Sequence, residues 1–341
     1  MSYKVTLKPS DHEFWVEAGE TVLDAALRAG CILPYGCRNG SCGSCVGKVL
    51  EGVVDYRGEL PAALDERQRA EGKALFCQAI PSSDLVIEGR EISALRDIAV
   101  KTLPCRVIGM TRLAPDVMRL YLKLPASERL QFLAGQYISF LLKEGKRRDF
   151  SLANPPHADE YLELHIRKVP GGEFTTSVFE QMREKAILRF QGPLGSFFLR
   201  EDSHRPIIMV AGGTGFAPIK GMLEHAFYHN ISRSIHLYWG ARARQDLYLH
   251  ELPEAWAEKH ENFSYTPVLS EPGPEDDWQG RTGWVHAAVA ADYPDLSSYE
   301  VYMSGPPPMI AAAREAFTAR GLPEEYLYYD SFDYAHERGQ V

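Results

Sequence analysis

Four cysteines carry the clearest chemical signal in this chain. Cys37, Cys42 and Cys45 follow the pattern C-x4-C-x2-C, and Cys77 lies farther along. This is the spacing of the thiolate ligands of a plant-type [2Fe–2S] cluster. Glycines such as Gly40 let the backbone wrap closely enough for its N–H groups to point at the sulfur atoms. We therefore predict that these four cysteines bind a [2Fe–2S] cluster, which accepts one electron at a time.

Two other uses of cysteine compete with this interpretation. A structural zinc site also takes four thiolates, but its ligands commonly come as two C-x2-C pairs, and only Cys42 and Cys45 have that spacing. Disulfides are disfavoured because cysteines crowded into one glycine-rich loop are badly placed to pair with one another. Cys31 and Cys105 lie in apolar surroundings and are expected to be buried thiols, as in a reducing compartment.

The middle of the chain carries groups suited to binding phosphate. They occur in three short segments: Arg148-Asp-Phe150-Ser151, His165-Ile-Arg167, and Gly171-Gly172 followed by Thr175 and Thr176. Arginines form charge-assisted hydrogen bonds to phosphate, and the Gly-Gly turn allows the backbone to approach it at the start of a helix. An ordinary solvated face is the alternative, because a basic strand pair beside such a turn is common on protein surfaces.

A second candidate phosphate-binding site lies in the last third of the chain. Gly213-Thr214-Gly215-Phe-Ala-Pro218 follows the apolar run Ile207–Ala211 and precedes a helix predicted to reach about His229. This is the context in which a helix N-terminus binds phosphate, although a purely structural turn is the alternative. The segments Tyr238–Arg242 and Ser304–Met309 end two further apolar runs, where ligands bind in open parallel sheets.

The elements that must position these residues fall into three groups. Residues 1–92 show a strand hairpin (Tyr3, Val5, Leu7, then Phe14 and Val16), a helix that begins after Thr21, and strands at Val46–Val54 and Leu85–Ile87. After a linker at 93–103, residues 104–202 read as short strands in a closed antiparallel barrel: Cys105–Met110, Val117–Lys123, Gln136–Leu142, Tyr161–Lys168 and Ala186–Gln191. In residues 203–341, strands at Ile235–Tyr238, Phe263–Leu269 and Val301–Met303 alternate with helical stretches, which predicts a parallel α/β sheet.

Composition narrows the function classes. The chain has 341 residues and a net charge of −9. An acidic chain is poorly suited to binding nucleic acid, because the phosphate backbone is bound by lysine and arginine side chains. No apolar run has the length of a membrane span, and the N-terminus lacks the basic-then-apolar pattern of a signal peptide. Four cysteines assigned to metal and two buried thiols are typical of a reducing compartment, so a cytoplasmic protein is expected.

The first two groups resemble known families. Residues 1–92 are similar to the β-grasp fold of plant-type ferredoxins. Arg148-x-Phe150-Ser151, Val-Pro-Gly171-Gly172 and Gly192-Pro-Leu-Gly195 resemble the flavin domain of the ferredoxin–NADP reductase superfamily. The resemblance implies that Arg148 binds the flavin phosphate, that Phe150 packs on the flavin ring and that Ser151 hydrogen-bonds near its reactive nitrogen. It also assigns His165, Arg167, Gly172, Thr175 and Thr176 to FAD binding. Phe150 replaces the more usual tyrosine, which removes a hydroxyl but keeps the aromatic ring.

The third group resembles the nicotinamide-binding part of the same superfamily. The resemblance implies that NAD(P)H is bound by Gly213, Thr214, Gly215, Pro218, Arg242, Gly305 and Pro306. Ser304 stands where the superfamily commonly has a cysteine close to the nicotinamide. Asp330 and Phe332 match an acid and an aromatic that face the flavin ring, with core packing as the alternative. Arg242 and Arg244 could stack on adenine or bind a 2′-phosphate, so either nucleotide could be the electron donor. NADH is favoured over NADPH.

The three-part order covers essentially the whole chain. Segments such as Phe132–Tyr137, Leu164–Val169 and Ser196–Asp202 resemble the CDP-6-deoxy-Δ3,4-glucoseen reductase family, and reductase components of bacterial aromatic-ring oxygenases share the order. This implies an enzyme that passes electrons from NADH through FAD and the cluster to a partner, a dehydrase or an oxygenase component, which docks near the cluster loop. Two alternatives stay open, a ferredoxin-like carrier with a nucleotide-sensing C-terminal part and a flavin reductase with a vestigial cluster.

Overall fold

The computed structural model describes residues 2–58 and 60–332, and the chain divides between residues 99 and 100 into two compact units. The predicted nucleotide-binding part extends to residue 341, and its last nine residues, 333–341, lie outside the described residues. None of the helices in the described ranges combines the length and apolar character needed to cross a bilayer.

The first unit is a mixed five-stranded sheet packed against one helix. The sheet has the order β2-β1-β7-β3-β5, with β1 and β7 parallel and the other pairs antiparallel. The elements are β1 Tyr3–Lys8, β2 His12–Val16, α1 Val22–Arg28, β3 Val46–Glu51, β4 Val54–Asp55, α2 Glu66–Ala70, β5 Lys73–Leu75, β6 Ile80–Pro81 and β7 Leu85–Glu88. This is the β-grasp arrangement expected from the sequence.

Local signals explain the ends of two of these elements. Thr21 caps α1 as predicted, since its Oγ1 accepts a hydrogen bond from the Asp24 N–H at 3.1 Å. The single strand predicted over Val46–Val54 is wrong, because the chain turns at Gly52, where φ is +92°. A Cβ at Gly52 would lie 2.1 Å from the Asp84 carbonyl oxygen, so the turn requires glycine.

The N-terminal part of the second unit is a six-stranded antiparallel barrel. The order β11-β10-β13-β8-β9-β12 is closed by a bridge between Leu152 and Leu164. Its elements are β8 Lys101–Ala114, β9 Val117–Lys123, β10 Tyr137–Leu141, β11 Arg147–Ser151, β12 Leu162–Arg167, α3 Glu173–Glu180 and β13 Ile187–Leu194. β8 begins at Lys101, inside the segment expected to be linker, and β11 is a strand that the pattern did not indicate. The domain boundaries at 92, 104 and 203 stay predictions.

The rest of the second unit is a parallel sheet with helices on both faces. Its order is β17-β16-β15-β14-β18-β19, and every neighbouring pair is parallel. The elements are β14 Ile207–Gly212, α4 Phe216–Tyr228, β15 Ile235–Ala241, α5 Glu251–Lys259, β16 Phe263–Leu269, β17 Arg281–Thr282, α6 Val285–Asp292, β18 Glu300–Gly305, α7 Pro307–Thr318 and β19 Leu327–Ser331. Fully buried runs such as Ile207–Gly212 in β14 are typical of a sheet covered on both faces.

Candidate functional site

The four predicted cluster cysteines come together as two contacting pairs of thiols. Cys37, Cys42 and Cys45 lie in the loop between α1 and β3, and Cys77 follows β5. A hydrogen bond between Cys37 and Cys42 lowers the pKa of Cys37 to about 5 and raises the pKa of Cys42 well above its usual value. The bond between Cys45 and Cys77 likewise raises the pKa of Cys45 and lowers the pKa of Cys77. All four thiols are free, so they are available as metal ligands.

The backbone of this loop directs N–H groups at the sulfur atoms. The N–H groups of Asn39 and Cys42 lie 3.5 and 3.4 Å from Cys37 Sγ, and the Ser44 N–H lies 3.5 Å from Cys42 Sγ. Gly40 has φ of +84°, and a Cβ there would lie 2.9 Å from the side chain of Pro61. Four thiols together with sulfur-directed N–H groups fit a [2Fe–2S] cluster, in which such hydrogen bonds set the reduction potential.

The predicted flavin residues of β11 lie on two faces of that strand. Arg148 and Phe150 are two positions apart and share a face, while Ser151 points to the other. The Phe150 ring packs 5.8 Å from the Phe140 ring and 5.6 Å from the Phe174 ring at the start of α3. Phe150 is half-buried, so part of its ring remains accessible to a ligand.

The Gly-Gly turn before α3 is built around a threonine. Thr175 Oγ1 accepts a hydrogen bond from the Val169 N–H at 3.1 Å and donates to the Gly172 carbonyl at 3.2 Å. A Cβ at Gly172 would lie 2.7 Å from this oxygen. Thr175 therefore shapes the turn with its own side chain, while the Thr176 N–H bonds back to the Gly172 carbonyl at 2.9 Å and its side chain is half-buried.

Arg167 lies where the barrel meets the nucleotide turn. A Cβ at Gly213 would lie 2.9 Å from Arg167 Nη1, so the guanidinium rests against this glycine. Arg167 Nε lies 3.2 Å from an Asp116 carboxylate oxygen, yet buried Nε and Nη2 make no hydrogen bond within the described residues. Buried donors without acceptors are costly. The arrangement fits an anionic group, such as the phosphates of FAD or NAD(P)H.

The turn after β14 is held tightly against the neighbouring strand. A Cβ at Gly215 would lie 1.9 Å from the Ser304 carbonyl oxygen in β18, so only glycine allows this approach. The Trp239 indole donates to the Gly213 carbonyl at 3.0 Å. Thr214 and Pro218 are buried in the turn and in α4. The N-terminus of this 13-residue helix therefore lies directly after a glycine turn, as a phosphate cradle requires.

Three of the four predicted catalytic residues converge at the carboxyl ends of β18 and β19. Ser304 is paired with Asp330 in the register of these parallel strands. The Ser151 hydroxyl of β11 donates to the Asp330 carboxylate at 3.1 Å, across 179 residues of sequence. The fourth, Phe332, donates its N–H to the Gly305 carbonyl at 2.9 Å. Ser304 Oγ is fully buried and makes no hydrogen bond within the described ranges.

His165 does not join this group. It points away from the barrel core, and its ring nitrogens lie 3.0 Å from the Tyr248 hydroxyl and 2.9 Å from a Glu163 oxygen. Burial lowers its pKa, so the ring is neutral near pH 7. Lys220 of α4 completes the network, with Nζ 3.1 Å from Glu163 and 2.9 Å from Glu224. Both ring nitrogens of His165 are thus engaged by the chain itself.

Arg242 and Arg244 occupy different settings after β15. Arg242 is 67% exposed and lies 3.8 Å from Asp246. Arg244 is bound to Asp276, which accepts from its backbone N–H at 3.0 Å and from its guanidinium through the carbonyl at 3.4 Å. Arg242 is therefore the more available of the two cations.

Sequence reasoning missed the residues that support the site from a distance. Asp116 beside Arg167, Trp239 beneath the glycine turn and the Lys220–Glu163 pair all join segments far apart in sequence. One signal was available. Lys220 is the lone charge within the mostly apolar sequence Phe216–Leu223, and a charge in such a run is expected to be paired if the run is buried, as it is in α4.

Family comparisons match all three parts of the chain. The 2Fe-2S iron-sulfur cluster binding domain matches residues 5–82, the oxidoreductase FAD-binding domain residues 104–199, and the oxidoreductase NAD-binding domain residues 209–315. The assignments of a [2Fe–2S] cluster, FAD and a nicotinamide nucleotide are thereby confirmed.

Whole-chain relatives agree with the domain matches. The CDP-6-deoxy-L-threo-D-glycero-4-hexulose-3-dehydrase reductase of Yersinia pestis is 40% identical over 97% of this chain and 99% of its own length. The reductase component of phenol 2-monooxygenase from a Pseudomonas species is 38% identical over 97% of this chain and 95% of its own. The crystal structure of an Amycolatopsis cytochrome P450 reductase superposes with a TM-score of 0.78 at 34% identity, covering 97% of this chain and 98% of that one.

Proposed function

The chain belongs to the ferredoxin–NADP reductase superfamily, in the group with an N-terminal [2Fe–2S] domain, and we propose that it delivers electrons from NADH to a partner dehydrase. It is an NAD(P)H-dependent oxidoreductase that carries FAD and the cluster. When bound, FAD takes two electrons as a hydride and releases them singly, and the cluster accepts one at a time.

One observation carries the proposal. The Ser151 hydroxyl of the flavin strand and the Asp330 carboxylate of the nucleotide sheet lie 3.1 Å apart, beside Ser304 in strand register. The segments that resemble flavin-binding and nicotinamide-binding sequences therefore meet at one point, which hydride transfer between two bound rings requires.

The residues at this point have distinct proposed roles. Ser151 and Asp330 hold each other in position and present polar atoms to the flavin ring. The buried hydroxyl of Ser304, which has no hydrogen-bond partner among the described residues, orients the nicotinamide, and Phe332 is held beside it through its N–H bond to Gly305. Arg148 with Phe150, and Arg167 with the Gly172 turn, bind the phosphates and ring of FAD.

NADH is the proposed donor. A 2′-phosphate would favour a pair of free cations near the end of β15, but the guanidinium of Arg244 is already bound to the Asp276 carbonyl, which leaves Arg242 alone. Arg242, with its exposed side chain, then stacks on the adenine. The ratio of kcat/KM for NADH and NADPH measures this preference, and a ratio of one or less contradicts it.

The partner is proposed to dock at the cluster loop. Ser41 is exposed and Cys37 is half-buried, so this edge of the cluster site lies at the surface. Ser41→Glu should raise the KM for the physiological acceptor without changing NADH-dependent reduction of ferricyanide.

The six free cysteines favour a reducing, cytoplasmic location.

The electron route is tested with the purified, cofactor-loaded protein. Anaerobic NADH should bleach both the flavin and the cluster absorption, and full retention of colour would support a carrier without activity. Cys42→Ser should abolish most cytochrome c reduction while leaving reduction of ferricyanide by the flavin intact. Cys31→Ala serves as the matched control, because Cys31 is a buried thiol of the same unit outside the ligand set. Unchanged cytochrome c reduction in Cys42→Ser would mean a vestigial cluster.

The acceptor class is tested by reconstitution. The Yersinia relative is a dehydrase reductase by name, and the motifs of this chain resemble that family. An oxygenase component is a second candidate, because the relative from Pseudomonas serves phenol 2-monooxygenase. NADH-dependent turnover with the purified dehydrase, and none with the oxygenase component, supports the first assignment, whereas the reverse pattern overturns it.

A further inference from the structure

Three histidines from two segments of the second unit gather at the surface, away from the site described above. His157 lies in the loop between β11 and β12, His225 in the last turn of α4, and His229 at the C-terminal cap of α4. One ring nitrogen from each lies within 4.8 Å of one from each of the others. The i, i+4 spacing of His225 and His229 places both on one face of the helix.

His225 is prepared to act as a ligand. Its Nε2 lies 3.0 Å from a Glu201 carboxylate oxygen, while its Nδ1 is buried and has no hydrogen-bond partner in the described part of the chain. With the Nε2–H donating to the carboxylate, the lone pair of Nδ1 is free. Metal-binding histidines typically have this outer carboxylate partner, which fixes the tautomer and makes the ring more basic.

The other two rings are held close by. The His157 ring stacks on the Tyr228 ring, with centroids 3.7 Å apart and planes 16° apart. The rings of His225 and His229 have centroids 4.3 Å apart.

The electrostatic setting favours a cation. The site lies at the C-terminal end of the 13-residue α4, where the helix dipole is negative, and the chain has a net charge of −9. Three imidazoles with an open fourth position are a ligand set that suits Zn²⁺, and also Cu²⁺ and Ni²⁺.

We propose that His157, His225 and His229 bind one divalent transition-metal ion, with Zn²⁺ as the representative and water in the fourth position. Zn–N distances of about 2.0–2.1 Å in tetrahedral geometry place ligand nitrogens about 3.4 Å apart. The nitrogens now lie within 4.8 Å of one another, so they must approach by at most about 1.4 Å to reach that separation. The bound ion joins the loop of the barrel to the helix that begins at the nucleotide turn.

The test uses tag-free protein loaded with FAD and the cluster, titrated with ZnCl₂ in an isothermal calorimeter. The visible spectrum before and after shows that both cofactors stay in place. We expect one equivalent to bind, His157→Ala and His229→Ala to remove that binding, and Glu201→Gln to weaken it about 10–100-fold. Co²⁺ should give an intense visible d–d band in the wild type but not in the two histidine variants.

Two control variants make the outcome decisive. His204→Ala should bind Zn²⁺ like the wild type, because His204 is an exposed histidine outside the cluster. A second group of possible ligands, His12 with Cys31 and Glu91, lies in the first unit. Loss of binding in His12→Ala but not in His157→Ala would overturn the proposal, as would equal affinity in all variants or no binding to the wild type.

Discussion

The contact between the nucleotide turn and β18 allows a sharp prediction for Gly215→Ala. The new Cβ would lie 1.9 Å from the Ser304 carbonyl oxygen, 2.4 Å from its carbonyl carbon and 2.9 Å from the Gly305 nitrogen. All three atoms are backbone, so no side chain can rotate away. Because non-bonded atoms settle at about 3.5 Å, the turn and the Ser304–Gly305 segment must separate by roughly 1.5 Å.

A displacement of this size falls on the residues proposed to orient the nicotinamide. A misplacement of about 1 Å can cost about 100-fold in rate, which corresponds to about 2.7 kcal/mol of transition-state stabilisation. We therefore expect flavin reduction by NADH to slow at least about 100-fold in Gly215→Ala. FAD content and reduction by dithionite should stay normal, because the flavin strand is not displaced.

Anaerobic stopped-flow measurement of flavin bleaching at saturating NADH reads this rate directly. Gly283→Ala is the control, since Gly283 lies in the same α/β part of the chain and has φ of +108°, and no atom of the described residues lies within 4 Å of the point that a Cβ would occupy. It should lose about 1–2 kcal/mol of stability from the unfavourable φ, yet reduce flavin at the normal rate. A wild-type rate in a Gly215→Ala protein with full FAD would refute the argument that this packing positions the nicotinamide.

Three further predictions test other parts of the molecule. Arg148→Ala should release FAD on dialysis, whereas Arg147→Ala, on the opposite face of β11, should retain it; absorbance at the flavin band decides. Lys220→Met leaves two carboxylates without their buried cation, so thermal unfolding of the holoprotein should show a loss of about 3–5 kcal/mol, and an unchanged melting temperature would contradict this. Burial lowers the pKa of His236 to about 4. The contribution of the neutral ring to the free energy of unfolding is therefore complete above the unfolded pKa near 6.5. It is lost as the pH falls towards 4, by up to about 3 kcal/mol. His236→Gln should flatten the fall in melting temperature over that range, and an equal slope in both proteins would exclude this group as the cause.

Much of the fold followed from local patterns. Strand alternation predicted the hairpin of Tyr3–Lys8 and His12–Val16, and Val117–Lys123 and Phe263–Leu269 were predicted with their observed bounds. β11 was missed because Arg-Arg-Asp-Phe-Ser has no apolar alternation. Its pairing with β10 and the closure of the barrel hold it as a strand, and the sequence of the segment alone shows neither.

The sequence by itself determined the chemistry that depends on short spacing. The C-x4-C-x2-C spacing and the glycine turn between a strand and a helix are properties of neighbouring residues, and the order of three domains follows from where such motifs occur along the chain. Cysteine spacing predicts a cluster because Cys37, Cys42 and Cys45 lie on one short loop, whereas Cys77 is brought to them by the pairing of β3 with β5. The family comparisons confirmed the cofactors predicted from these patterns.

Only the tertiary structure decided which of these groups meet. Ser151 reaches Asp330 across 179 residues, Arg167 rests against Gly213, and His157 comes within reach of His225. In the folded chain, both ring nitrogens of His165 lie within hydrogen-bond distance of Tyr248 and Glu163. The reason is physical: strand register and the packing of α4 on the barrel fix these distances, and neither is encoded in the periodicity of any single segment.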